Sequence, residues 1–273
     1  MKRILCPTDF SEAAANAVEY AAELAQKMSA GITLINVRML SDLTPEEQIL
    51  YKKDRDVQTS RDRLEELSEM VNKSFKVPCG FMVETSVRSL SGVIGSNALG
   101  YDLIVMGTKG TSSIGQLLFG TNTYNVIREA NVPVLLVPEG CRYQEVKLIV
   151  FAFDYWRTNQ LPLSKLIELV RILHSEILIL EVMEESKSQK IEKQLEEDQK
   201  QIKQLYADEN VSIRFDTIHT SDLSTSINNY ILRNQAGLLA LCAIRHSLIE
   251  TLFHKSVIKD ISGMASYPVF IFQ

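Results

Sequence analysis

Two tandem α/β domains, each a five-stranded parallel sheet with helices on both faces, are the fold class this sequence predicts. Three observations carry that expectation. Short, continuously apolar segments alternate with longer helical stretches along the whole chain. The segments KRILCP, GITLINV, CGFMVET, DLIVMG and VPVLLVP are answered in the same order by KLIVFAFD, EILILEV, VSIRFDTI, GLLALC and YPVFIF. From the fourth strand to the last, the two halves keep a constant offset of 135 residues, so that Pro133 follows Thr121 by 12 and Pro268 follows Ser256 by 12.

Residues 2–7 read as a short buried strand. A helix follows, whose Ala14, Val18, Ala21, Ala25 and Met28 recur at spacings of three and four and so form one stripe. Residues 31–37 are the second strand, and Pro45 to Lys76 has the charge density and period of a long exposed helix. Residues 79–85 make a third strand, Ser89 to Leu99 a helix, and 102–107 a fourth strand. After a glycine-rich loop comes a helix from Asn122 to Ala130, opened by the Thr121 hydroxyl, and then a fifth strand at 132–138. The second round runs through strands at 147–154, 176–182, 211–218, 237–242 and 267–272, with a charged helix from Glu184 to Tyr206. Asp154 falls in the place of Asp9. The expected domains are 1–140 and 145–273, with the junction near Glu139–Glu145.

Composition narrows the function. A chain of 273 residues suits two domains of about 135. A net charge of −5 argues against nucleic acid as the main partner, which would favour a basic face. No apolar run reaches the roughly 20 residues of a membrane span, and polar positions interrupt MKRILCPTDF before any signal-peptide core forms. The expectation is a cytoplasmic protein. Cys6, Cys79, Cys141 and Cys242 form no C-x-x-C pair, and His174, His219, His246 and His254 form no H-E-x-x-H motif. Neither a disulfide framework nor a zinc site follows.

The run MGTKGTSSIGQLLFGT carries the chemistry. Gly107, Gly110, Gly120 and Thr121 are spaced G-x-x-G, nine residues, then G-T, directly after the apolar strand DLIVM. Glycines let backbone N–H groups approach an anion without a Cβ in the way, and a helix N-terminus adds a favourable dipole. The alternative is that the glycines only shape a long turn and Thr121 only caps a helix. The second copy works as an internal control: at the offset of 135, Cys242, Arg245 and Lys255 stand where the first copy has Gly107, Gly110 and Gly120. A copy that folds without those glycines favours a ligand for the one that keeps them.

Together, Pro7-x-Asp9-x-Ser11 after the opening strand and the full Gly107 to Thr121 spacing resemble the universal stress protein family, in its tandem-domain form and with the motif of the ATP-binding branch in the N-terminal half. The resemblance implies an adenine nucleotide alpha hydrolase-like, Rossmann-like fold. It also implies ATP, with Mg²⁺ accompanying it, as the ligand. Asp9, with Pro7 and Thr8 beside it, would contact the nucleoside, and Val37 would offer backbone groups to the adenine edge. Met106, Gly107, Thr108 and Gly110 would bring backbone close to ribose and phosphates. Gly120, Thr121, Asn122 and Thr123 would wrap the outer phosphates at the helix start. Two positions depart from the family pattern: Asn36 stands where a histidine is frequent, and Glu84 to Arg88 replaces a glycine-containing turn.

Several of these residues have structural alternatives. Asp9 could cap the first helix with Glu12 completing a box, and Ser11 competes for that cap. Lys109 could pair with a phosphate or be solvated, and Cys6 reads as an inert buried thiol. Arg245-His246-Ser247 and His254-Lys255-Ser256 could bind another anion or serve as polar surface. The stretch 190–204 reads as a solvated helix with i,i+4 pairs and lacks clear coiled-coil leucines.

The leading expectation is a stress-response protein in which ATP acts as a conformational ligand. No Walker-type G-K-[ST] and no convincing catalytic set accompany the loop. A slow ATPase or phosphoryl or nucleotidyl transferase using Asp9 and Mg²⁺ is one alternative, and an interaction module with a structural loop is another. For partners, the two copies are expected to form an intramolecular pseudo-dimer along 132–138 and 267–272, since apolar edge strands need cover, and a further homodimer is left open. The resemblance implies that single-domain relatives pair this way between chains.

Overall fold

The structure is a computed structural model, and it describes residues 1–40, 55–108, 121–153, 163–183, 190–243, 260–261 and 263–272. The chain divides into two compact units, Met1–Tyr143 and Gln144–Gln273.

The first unit runs β1 (Arg3–Pro7), α1 (Glu12–Met28), β2 (Gly31–Met39), α2 (Arg55–Phe75), β3 (Cys79–Ser86), α3 (Leu90–Asn97), β4 (Leu103–Gly107), α4 (Thr121–Glu129) and β5 (Val134–Val137). Its sheet is parallel, in the order β3-β2-β1-β4-β5. Chain order moves one way across the sheet from β1 to β3, then jumps back to β4 and moves the other way. Right-handed crossovers then put α1 and α2 on one face and α3 and α4 on the other. The packing agrees: α1 touches α2, α3 touches α4, and α2 covers β2 and β3. Strands covered on both faces must be apolar throughout, and Leu103–Met106 and Val134–Val137 are buried without a break.

Each helix has a local reason to start and stop. Ser11 caps α1 by accepting the Ala14 N–H at 3.2 Å, and Ser29 ends it in the left-handed region at φ 50°. Ala14, Val18, Ala21, Ala25 and Met28 are all buried, as their spacing predicts. Ser89 caps α3 through the Gly92 N–H. The last turn of α4 is fastened to α3, where the Ser91 hydroxyl donates to Glu129 at 3.0 Å and Gly95 lets the Glu129 carbonyl come close. The long polar helix expected from Pro45 to Lys76 is found as α2, whose described part begins at Arg55.

The segment after β5 belongs to the first unit. The Asn16 amide donates to the Pro138 and Cys141 carbonyls, Arg142 pairs with Glu19, and Tyr143 meets Tyr20 edge-on at 5.3 Å. Asn16, Glu19 and Tyr20 share one face of α1, so the junction is strapped along that helix.

The second unit runs β6 (Leu148–Phe153), α5 (Ser164–Leu173), β7 (Glu176–Met183), α6 (Lys190–Leu205), β8 (Ile213–His219), α7 (Leu223–Arg233), β9 (Leu238–Cys242) and β10 (Val269–Phe272). Its parallel order, β8-β7-β6-β9-β10, has the topology of the first unit. The likeness extends to single residues. His174 ends α5 at φ 53° as Ser29 ends α1, and Asn210 precedes β8 at φ 53° as Lys76 precedes β3 at φ 56°. The Thr220 hydroxyl accepts the Asp222 N–H just as Ser86 accepts that of Arg88.

Candidate functional site

Reversal of strand order between β1 and β4 opens the sheet at their carboxyl ends, where open α/β sheets bind ligands. The hydrogen bonding shows how. Past β1, the Thr8 N–H turns to the Ile35 carbonyl of β2 at 2.9 Å. Past β4, the Thr108 N–H turns the other way, to the Val137 carbonyl of β5 at 3.3 Å. The two chain ends part, with Thr8-Asp9 on one side and Gly107-Thr108 on the other, the place where the crevice of such a sheet is expected.

On the β1 side the chain makes a tight, strained turn. Thr8 is buried, and its hydroxyl accepts the Phe10 N–H at 3.1 Å. Asp9 is exposed, and its Oδ1 accepts the Ser11 N–H at 3.0 Å. The competition for the helix cap is thereby resolved: Ser11 holds the cap, and Asp9 closes the turn before it. Phe10 sits at φ 64°, a region that bulky residues rarely adopt. The Arg63 guanidinium from α2 lies 4.0 Å from the centre of the Phe10 ring and braces it by a cation–π contact. Nothing in the local sequence marks Phe10 for that conformation. It is visible only once α2 is in place.

Pro7 ends β1 half-buried and Val37 lies half-buried near the end of β2. Between them Asn36 is buried, and its Nδ2 donates to the Thr8 carbonyl at 2.7 Å. In the sequence Asn36 is only a departure from a family pattern. The signal that could have singled it out is one amide in the otherwise apolar run LINV. Cys6, behind this turn, is fully buried, and burial pushes its thiol far above the usual range, so it is an inert core thiol.

On the β4 side Met106 and Thr108 are buried and Gly107 is partly exposed. A Cβ on Gly107 would lie 2.8 Å from the Ala13 carbonyl oxygen at the start of α1. The packing of α1 therefore demands glycine here. This corrects one step of the sequence argument: loss of this glycine from the second copy is not by itself the mark of a lost ligand. Thr121 is the first residue of α4, Asn122 is exposed, and Thr123 is buried. Gly110, Gly120 and Lys109 lie outside the described residues, as do Arg245-His246-Ser247 and His254-Lys255-Ser256. Among the described residues no cluster of three His, Cys, Asp or Glu side chains is placed to hold a metal ion, and no helix is long and apolar enough to cross a membrane.

This architecture recurs in known proteins. A crystal structure of a universal stress protein from Archaeoglobus fulgidus superimposes with a TM-score of 0.78 at 17% identity, covering 99% of this chain and 98% of that one. A universal stress protein of Methanocaldococcus jannaschii is 27% identical over 154 residues, covering 50% of this chain and 94% of the relative. A second one from that organism is 29% identical over 142 residues, covering 50% of this chain and 81% of its own length. The model of the universal stress protein family matches residues 1–138, the unit that holds the crevice, the Pro7-to-Ser11 turn and the glycine spacing. The chain belongs to the universal stress protein family.

Proposed function

We propose that the first unit binds ATP, accompanied by Mg²⁺, in the crevice beyond β1 and β4, and that the nucleotide acts as a conformational ligand in a cytoplasmic stress response. The observation that carries this reading is the pairing of a topological switch point with small and polar walls. Thr8 and Asp9 stand on one side, Gly107 and Thr108 on the other, and α4 begins at Thr121, one residue after the last glycine of the phosphate-type spacing. The buried amide of Asn36 beside Thr8 also suits a polar ligand. Asp9 and Val37 would hold the nucleoside. Gly107, Gly110, Gly120, Thr121, Asn122 and Thr123 would hold ribose and phosphates, with Pro7, Thr8, Met106 and Thr108 forming the floor. The second unit is proposed to be a degenerate copy that does not bind ATP.

Titration calorimetry of the full chain with ATP and Mg²⁺ tests both statements. We expect one nucleotide per chain, with binding abolished in Gly120→Val while far-UV circular dichroism is unchanged. Unchanged affinity in Gly120→Val overturns the loop assignment, and two nucleotides per chain overturn the asymmetry. A steady-state phosphate-release assay is expected to show no catalytic turnover. Steady phosphate release would make the protein an ATPase instead.

A further inference from the structure

Phe10 holds a conformation that its residue type disfavours, and it does so next to the candidate site. Its φ of 64° falls between Asp9, whose Oδ1 accepts the Ser11 N–H, and Ser11, whose hydroxyl caps α1. A bulky side chain rarely enters the left-handed region, where glycine, asparagine or aspartate sits at less cost. Strain of this kind persists only where the surroundings hold it, and it gathers at ligand sites.

One of the contacts that hold Phe10 comes from outside the turn. The Thr8 hydroxyl and the Asp9 carboxylate bond two residues along their own segment, whereas the Arg63 guanidinium reaches the Phe10 ring from α2, 4.0 Å from its centre. Arg63 is exposed, and Glu66 stands three residues further along its own helix, the spacing of a helical ion pair. Among the described residues Arg63 nevertheless forms no ion pair. A guanidinium that water or a neighbouring carboxylate could satisfy lies instead on the ring of the strained residue. Rotation about the Phe10 backbone would swing Asp9 relative to α1, because φ and ψ are the two soft dihedrals joining them. Holding the ring therefore holds the aim of the Asp9 carboxylate.

We propose that Arg63 is a positioning residue of the nucleotide site: through the Phe10 ring it fixes the direction of the Asp9 carboxylate, and it ties occupancy of the site to α2. The inference rests on the ATP reading above, in which Asp9 contacts the nucleoside. Arg63 acts through Phe10 and touches no ligand. Coupling of this kind is reciprocal, so a nucleotide that selects the braced turn also strengthens the brace. The element that responds to the nucleotide is α2.

The test measures ATP binding with Mg²⁺ by calorimetry on the wild-type chain, Arg63→Met, Arg63→Lys, Phe10→Asn and the double variant Arg63→Met/Phe10→Asn. Methionine keeps an unbranched stem and good helix propensity and loses the charge. Arg63→Met is expected to weaken ATP binding about twofold to fivefold, the range of one exposed cation–π contact, and Arg63→Lys to restore most of the loss. Asparagine adopts the left-handed region without a brace. In the Phe10→Asn background the further change Arg63→Met is therefore expected to alter affinity by less than about 1.5-fold. An Arg63 effect that persists in that background would mean that the charge acts on the phosphates directly, which overturns the proposal. Wild-type affinity in Arg63→Met overturns it as well. Amide exchange from Thr59 to Leu67 is expected to slow on ATP binding in the wild type and to stay unchanged in Arg63→Met. The same response in both proteins, or none in either, overturns the link to α2. Wild-type protein that binds no ATP overturns the nucleotide reading, and this inference with it.

Discussion

At the carboxyl end of the first strand the two units differ in the side chain they place there, a hydroxyl in one and an aromatic ring in the other. By register, Thr8 in the first unit corresponds to Phe153 in the second, and Cys6 to Phe151. The fifth strands differ in the same sense, with Leu135 and Val137 in β5 against Phe270 and Phe272 in β10. The second unit therefore packs four phenylalanines together. The Phe151 ring lies 5.7 Å from that of Phe153 and 5.4 Å from that of Phe272, and the Phe270 and Phe272 rings are 5.7 Å apart. Where the first unit ends its strand in a hydroxyl and a tight turn, the second ends it in a ring that is 4% exposed. One topology thus supports either a polar crevice or a filled aromatic core, depending on side chains that share a register position. The lesson is that the loss of the loop glycines is one of at least two changes separating the copies.

The comparison can be broken most directly at Thr8. Thr8→Phe imports the residue of the second unit, and we expect it to remove measurable ATP binding from the full chain. A variant that still binds with wild-type affinity would show that this strand end does not border the ligand. Next in size is the aromatic core. Phe272 is fully buried, so Phe272→Ala should destabilise the second unit by about 3–5 kcal/mol. Urea unfolding, with the two units followed separately by amide exchange, measures it, and a loss shared equally by both units would contradict the assignment.

Gly107 and Cys242 occupy the same position of β4 and β9, which sharpens the contrast further. Gly107→Val should cost about 1–3 kcal/mol, because its Cβ would meet the backbone of Ala13 rather than a movable side chain. Cys242 already accommodates a buried side chain, and Cys242→Val, close to it in volume, should cost less than about 1.5 kcal/mol. Equal costs from thermal unfolding would mean that the close approach of α1 is unimportant.

The smallest expected effect concerns the caps and pH. In the first unit α1 and α3 are capped by Ser11 and Ser89, whose hydroxyls do not titrate. In the second unit α7 is capped by Asp222, which accepts the Thr225 N–H at 3.1 Å. Hydrogen bonds from Thr225, then from Ser224, hold this carboxyl below its ordinary value of 3.8. A carboxyl lowered in the folded state stabilises the fold at pH above its unfolded value, and the contribution is lost as pH falls through the lowered folded value. Amide exchange at Ser224 and Thr225 should therefore lose protection below about pH 3.8, relative to Ala14 and Gly92. Asp222→Asn should remove that difference, and if it persists the cap is not its source.

Much of the fold was legible in advance because parallel strands leave a mark that survives without coordinates. Covering a sheet on both faces makes its strands apolar at every position, so DLIVM and VLLV stand out, and their alternation with helices implies a parallel sheet with helices on both faces. The ends of elements were less exact. VPVLLVP shrinks to Val134–Val137, and the strand expected at 267–272 begins at Val269, because Pro133 and Pro268 lack the N–H that a ladder needs. The turn at Thr8 to Ser11 was legible as a candidate cap and illegible as a strained loop. Its left-handed Phe10 is braced by Arg63, which is 53 residues away in the chain.

By itself, the sequence determined the two units, their parallel strands and the family, since periodicity, repetition and motif spacing are all properties of the chain read in order. Only the tertiary structure decided what those residues face. It brought the Ala13 carbonyl against Gly107, turned the Asn36 amide onto Thr8, and set Phe153 where the other unit has a hydroxyl. These are contacts between neighbouring strands and a crossing helix, fixed by register and close packing rather than by local preference. No window of sequence short enough to show a pattern contains both partners.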